Sequence, residues 1–412
     1  MSEISEIISV FNKFATIMQR YTHLAIEWDV KNVKWKYNKN LKTIFLWCFH
    51  MITCVGVSGI LFTTFLLVSQ LKGQLEFSPL PVLIFHIILL LLTSFAVALS
   101  VALITHGEQF VVGWNALLTI LRSTNKGAKT RLTETTVKEG NIFWTGMTGI
   151  VYQFAFYPFL CFPAMVIFKL GASIYIVDMM KLPFALDFLA RMCSMYGQAA
   201  ACFEVCRITP LVLILLIMVG KMLNSVILCY QKQHSGWFNN RLVGEYSALV
   251  IAFAAMRPLL ESLIGWVMGA SMLALVMFTF VTIRMYSIFP LWFYIYFPSV
   301  NILVVVCLML ILSITVGVRD NCEAMLRTWL NWANSVGVQR FRMHHLQKRL
   351  KALQPIQFSA RLKYCRLYYV KKSIKLKFYQ QIVAYTMTLL LSIPEFNDEQ
   401  ERERLAAWEV FN

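Results

Sequence analysis

The sequence predicts an all-α membrane protein of seven transmembrane helices, with its N-terminus cytoplasmic and its C-terminus extracellular. Three observations carry this expectation. Hydrophobic residues make up 58% of the 412 positions and charged residues 14%, against a usual charged share of about 25%. Several apolar runs reach the roughly 20 residues needed to cross a bilayer. Lys and Arg collect in alternate connecting segments, as they do in cytoplasmic loops.

Taken in order, residues 1–42 are polar and amphipathic, carry seven Lys/Arg and show no cleavable leader. The first span, 43–68, then serves as its own insertion signal. The second, 80–105, and third, 142–170, enclose a loop with five basic residues, Arg122, Lys126, Lys129, Arg131 and Lys138. Pro158 and Pro163 interrupt the third span and Pro210 the fourth, 197–229. The fifth and sixth are expected at 260–283 and 290–318, joined by a short connection whose one base is Arg284. The sixth should run on without a break through Cys322 and Trp329. Segment 319–375 lies in the cytoplasm as an anchor between subunits. Residues 319–377 hold fourteen bases against two acids, suited to acidic lipid headgroups. The last span, 376–396, leads to an acidic tail with five Asp/Glu against Arg402 and Arg404. All basic stretches then fall on one side of the membrane.

The final span carries a polar stripe that a lipid-facing anchor would not need. Gln381, Tyr385, Thr388, Ser392 and Glu395 recur at steps of four, three, four and three, which places them on one helix face. Polar groups at membrane depth are costly and face a bundle interior or a water-filled path.

Catalytic chemistry finds no support. No phosphate loop, nucleophile elbow, zinc-type Cys/His cluster or catalytic carboxylate pair is present at useful spacing, so no enzyme, cofactor or metal site is expected, and the one-sided distribution of charge argues against nucleic acid. The ten cysteines fall mostly inside or beside spans, with Cys193 in an outer loop, which implies no disulfide framework. Glu204 and Arg207, three apart and expected near the outer end of the fourth span, can pair across one helical turn or orient a ligand. Aromatic residues gather in the third span (Phe154, Phe156, Tyr157) and at the start of the sixth (Trp292, Tyr294, Tyr296). The third-span group, with Tyr294, Glu204 and Arg207 nearby, makes a candidate ligand pocket with apolar walls and few hydrogen-bonding groups.

The end of the chain resembles the C-terminal signature of the insect gustatory receptor superfamily, which includes the odorant receptors. That signature is Thr-Tyr, five mostly apolar residues, then Gln-Phe. Thr388 and Phe396 occupy its outer positions, while Leu389 stands where Tyr is usual and Glu395 where Gln is usual, with Pro394 a further departure. Phe358-Ser359-Ala360, followed by an expected aromatic-rich helix through Tyr364, Tyr368 and Tyr369, is similar to the family's approach to its last span, as is Trp28-Asp29 near the N-terminus.

The resemblance implies an inverted seven-helix subunit in the plasma membrane, assembling as a homo- or hetero-tetramer around a pore lined by the last helix. It implies a ligand pocket among helices two to six in each subunit and cation flow without a G protein. On that reading the protein is a taste receptor for a small apolar or bitter-type tastant. Gln381, Thr388, Leu391, Ser392, Glu395 and Phe396 line or gate the pore. A secondary transporter is the main rival. It would often show internal repeats and charged residues at mid-membrane in several spans, whereas seven spans do not divide into equal halves.

Overall fold

The computed structural model describes residues 3–19, 23–74, 79–127, 135–167, 170–180, 183–233, 240–286, 288–335, 347–362 and 365–393. Long helices dominate. After α1 (Glu3–Met18) and a hairpin of β1 (Ile26–Asp29) and β2 (Lys34–Tyr37), the first span is built from α2 (Leu41–Phe49), a π-helical stretch (His50–Leu61) and α3 (Phe62–Leu71). Next come α4 (Leu80–Gly127), α5 (Thr135–Ile167), α6 (Ala172–Met179), α7 (Phe184–Gln233), α8 (Asn240–Arg284), α9 (Leu291–Tyr294) and α10 (Tyr296–Ser335). A second hairpin, β3 (Ser359–Leu362) and β4 (Cys365–Tyr369), leads into the terminal helix α11 (Lys372–Ser392). Among the described residues, six helical segments are long and apolar enough to cross a membrane: Lys42–Leu71, Leu80–Thr124, Phe143–Val177, Phe184–Lys232, Leu242–Arg284 and Leu291–Ala333. The chain is a multi-pass membrane protein. The seventh expected span falls on α11, whose 21 residues reach about 31 Å but begin with Lys372, Lys375 and Lys377.

The helices overrun the apolar stretches that announce them. α4 continues to Gly127, and its extension buries Phe110, Trp114, Leu117, Leu118 and Leu121 at steps of four, three, one and three, one stripe of a helix facing a core. α7 is the axis of the bundle, buried at nearly every position from Ile208 to Ile227. α4 lies along α8, and Gly113 makes that approach possible: a Cβ there would meet the Ala252 carbonyl oxygen at 2.5 Å. α10 runs unbroken past Cys322 and Trp329, both fully buried.

The N-terminal segment is folded. Ile7, Val10, Phe11, Phe14 and Met18 form the buried stripe of α1. Phe11 meets Trp28 of β1, Trp35 of β2 and Trp114 of α4 at ring separations of 5.0, 5.1 and 5.4 Å. Asn12 accepts from the Trp28 indole at 2.8 Å, and the Asn115 amide of α4 bonds both the N–H and the C=O of Trp35. Asp29 closes the hairpin turn by accepting from the amides of Lys31 and Asn32 and from the Asn32 side chain. The Asn32 side-chain bond, then its backbone bond, hold this carboxyl below its usual range.

The aromatic-rich stretch expected as a helix is instead the β3–β4 hairpin at Tyr368 and Tyr369, while Tyr364 lies outside the described residues. Ala360 pairs with Tyr368 and Ser359 with Tyr369. Tyr residues suit strands, and the docking surface favours extended backbone: β3 packs on α8, where a Cβ on Gly265 would lie 3.0 Å from the Arg361 carbonyl.

A candidate ligand cavity and the terminal helix

Midway along the bundle, α4, α5, α7, α8 and α10 enclose a cavity of ≈ 80 Å³. Phe95 of α4, Phe154 and Tyr157 of α5, Cys206 of α7, Phe278 of α8 and Tyr296 of α10 supply much of the wall. The rings meet edge to face: Phe154–Tyr157 at 5.8 Å, Tyr157–Tyr296 at 5.1 Å and Phe278–Tyr296 at 6.1 Å, the arrangement favoured by ring quadrupoles. Polar atoms are few. Tyr157 hydroxyl is engaged by Gln153 and lies 3.3 Å from Ser299 Oγ, while Tyr296, Thr209 and Ser271 carry the other hydroxyls of the lining. Such a space excludes charge and accepts a small, mostly apolar body.

Of the sequence candidates, Phe154 and Tyr157 line this cavity. Phe156, one step around the helix, is 61% exposed on the opposite side. Tyr294 sits beyond the wall, donating to the Thr282 carbonyl at 2.7 Å. Glu204 and Arg207 also stand outside the lining, as a buried pair with Arg207 Nη2 2.5 Å from Glu204 Oε2. Their helix begins earlier than the expected span, at Phe184, which sets the pair about 30 Å along it. His50, at the start of the π-helical stretch, brings Nδ1 to 3.6 Å from Glu204 and Nε2 to 2.9 Å from the Tyr196 hydroxyl. The pair therefore belongs to an interhelical polar chain that one-helix spacing could not reveal.

A second buried charge went unnoticed in the sequence. Glu261 of α8 is 3% exposed. It is bonded by Arg257 one turn before it at 2.7 Å and by the Ser359 hydroxyl, with Arg361 at 3.9 Å. Only the Arg257–Glu261 spacing of four hinted at it. This cluster ties the β3–β4 hairpin, and hence the start of α11, to α8.

α11 leans on α8. Phe378 and Thr386 are buried, and Ile382, Leu389, Leu390 and Ile393 pack on the core. The other face presents Gln381, Tyr385, Thr388 and Ser392, all exposed, with Leu391 84% exposed beside them. Val383, outside the polar stripe, is 63% exposed. Thr388 and Ser392 turn their hydroxyls onto the carbonyls of Ala384 (2.9 Å) and Thr388 (2.6 Å), so neither leaves an unmatched hydroxyl on this face. Glu395 and Phe396 lie outside the described residues.

No family model matches the sequence, and no curated protein matches it. The architecture is matched. A solved structure of the insect olfactory receptor OR5 from Machilis hrabei aligns with 95% of this chain and all of its own, at a TM-score of 0.58 and 10% identity. This chain has the insect olfactory receptor fold. The same receptor in complex with eugenol aligns over the same shares, with a TM-score of 0.55 and 11% identity.

Proposed function

We propose that the protein is a chemosensory receptor and ligand-gated cation channel of the plasma membrane, formed by four subunits around the exposed stripe of α11. The carrying observation is that stripe: four polar side chains and Leu391 stand exposed on a helix whose other face is held by α8, a wall of the cavity. A fourfold arrangement would give these residues a water-filled path to line. The fold supports the reading, since it is that of OR5, which binds eugenol in one of its structures. The ligand would be a small, mostly apolar or aromatic tastant, because the cavity offers aromatic walls and few free hydroxyls.

The N-terminus would be cytoplasmic and the C-terminus extracellular, as the Lys/Arg distribution requires. Segment 319–375 would then form the cytoplasmic anchor, and seven spans would be completed by α11. Near the outer end of the pore, Glu395 would form a carboxylate ring favouring cations, with Leu391 and Phe396 as the apolar constriction. Two measurements test the reading. Imaging of the purified particle should show fourfold symmetry, and a monomer would favour a transporter. Glu395→Lys should cut ligand-evoked cation current steeply; unchanged selectivity and conductance would remove Glu395 from the pore.

A further inference from the structure

A second polar cluster is buried between α4, α6 and α7, away from the cavity. His86 of α4 precedes the cavity residue Phe95 by nine positions, two and a half helical turns, and so points from the opposite face. Ser173 Oγ of α6 lies 2.6 Å from Ser194 Oγ of α7, and Gln198, one turn further along α7, donates from Nε2 to Ser173 Oγ at 2.7 Å. The other end of that amide, Gln198 Oε1, has no partner although the residue is 3% exposed. Turning the amide over would exchange an unmet acceptor for an unmet N–H. His86 is fully buried, and its ring meets that of Tyr175 of α6 edge to face at 5.9 Å. The Leu170 backbone lies beside the ring, yet neither nitrogen completes a hydrogen bond of ordinary geometry. An imidazole has two polar nitrogens, so one backbone group serves only one of them.

The two unmet side chains share a neighbourhood. Leu170, beside His86, is followed by Gly171, where the Gln198 amide presses on the chain: a Cβ on Gly171 would lie 2.5 Å from Oε1. Consecutive Cα atoms are about 3.8 Å apart, so His86 and Gln198 face the same short piece of backbone at the start of α6. Buried polar groups left unpaired are costly. A water reaching about 2.8 Å to either side satisfies a ring nitrogen and an amide oxygen together. A metal ion suits the place less, since the amide and hydroxyls are neutral and, among the described residues, no three His, Cys, Asp or Glu side chains are placed to hold one.

We propose that an internal water bridges His86 and Gln198, and that through it α4 and α7 together hold the first turn of α6. The proposal stands apart from the channel reading.

Two measurements on the purified full-length protein test it. A wild-type structure sharp enough to show ordered water should have a density peak within hydrogen-bonding distance of both a His86 ring nitrogen and the Gln198 side chain. An empty position, or a direct His86–Gln198 bond, overturns the proposal. Hydrogen exchange of the α6 amides is the second measurement. H86L and Q198M keep bulk without the polar atoms, and each should lower the protection of α6 about tenfold, the scale of a buried group left unpaired. H86L/Q198M should fall no further than Q198M, because both substitutions remove the same water. H86Q, which puts an amide near the place of a ring nitrogen, should stay closer to wild type. A dry cluster predicts the opposite sign for H86L, because deleting an unpaired polar group from an apolar setting stabilises. Unchanged or raised protection in H86L, or losses that add in the double variant, therefore refutes the bridge. Should the variants fail to fold, the wild-type density decides alone.

Discussion

Removing one partner of the Glu204–Arg207 pair should be far more damaging than removing both. The two side chains are 5% and 3% exposed and 2.5 Å apart, inside a bundle whose neighbouring positions are apolar. Arg207→Ala strands a carboxylate in that setting, a change that costs about 3–5 kcal/mol. His50 stands 3.6 Å from Glu204 and softens the loss, so the lower end of the range is expected. With an unfolding entropy of about 2.1 cal/mol/K per residue over 412 residues, about 3 kcal/mol corresponds to a fall in Tm of roughly 3–4 °C. The Glu204→Gln/Arg207→Met double variant keeps the volume without the charges, and such replacements are often neutral or stabilising. The assay is thermal loss of the monodisperse particle in detergent, followed by size-exclusion chromatography, for both single variants and the double. A double variant as unstable as Arg207→Ala would refute the reasoning. It would mean that the pair contributes through geometry, not through mutual neutralisation.

Three further outcomes follow from the same physical reading. Ala270→Phe puts a ring into a cavity of ≈ 80 Å³ and should abolish ligand-evoked current at unchanged surface expression, whereas Phe156→Ala, at a position 61% exposed, should leave the response intact; dose–response curves for the two decide whether this cavity takes the ligand. Gly113→Val drives side-chain atoms into the Ala252 carbonyl, which a Cβ would already meet at 2.5 Å, so the α4–α8 contact should open and the yield of folded particle should collapse, while the same change at Gly149, with open space around it, should be tolerated. Asp29 has its carboxyl lowered in the fold by Asn32, so its stabilisation of the hairpin is present above the unfolded value of about 3.9 and disappears as pH falls through the lower folded value; the protection of the 26–37 amides against hydrogen exchange, relative to the intrinsic rate at each pH, should drop on acidification in the wild type and show no such step in Asp29→Asn.

The bundle was legible in the sequence because lipid imposes a strong, one-dimensional constraint. A run of apolar residues between basic loops reports a span whatever its tertiary partners: four of the first six expected runs fall inside helical segments, while 142–170 overruns the end of α5 at Ile167 and 290–318 crosses from α9 into α10. The ends were not legible, since beyond the bilayer each helix is continued by amphipathic patterning such as Phe110–Leu121, which is weaker than hydropathy. The aromatic stretch around Tyr368 was misread because tyrosines at short spacing suit a helix face and a strand equally. What decided it was the groove on α8 beside Gly265, which no local pattern encodes. The cavity was half legible: Phe154 and Tyr157 were found from their density in one span, but Phe95, Cys206, Phe278 and Tyr296 come from four other helices. The stripe of α11 was readable because it repeats within one helix.

Helices of 48, 50 and 45 residues are about 72, 75 and 68 Å long, more than twice the hydrocarbon thickness of about 30 Å. The two ends of α4, α7 or α8 therefore cannot both lie at the membrane boundaries, and helix termini do not set the depth at which the bundle sits. That depth is fixed by side chains along continuous helix: the apolar band on one side and residues such as Lys221, whose ammonium lies over the Phe143 ring at 4.1 Å, on the other. A change in bilayer thickness can then be absorbed by tilt or by sliding the whole bundle, at fractions of a kcal/mol per Å, without unwinding a helix. Lipid composition becomes a mechanical input that acts on all the long helices at once, and reconstitution in short-chain and long-chain bilayers is expected to reposition the bundle as a unit.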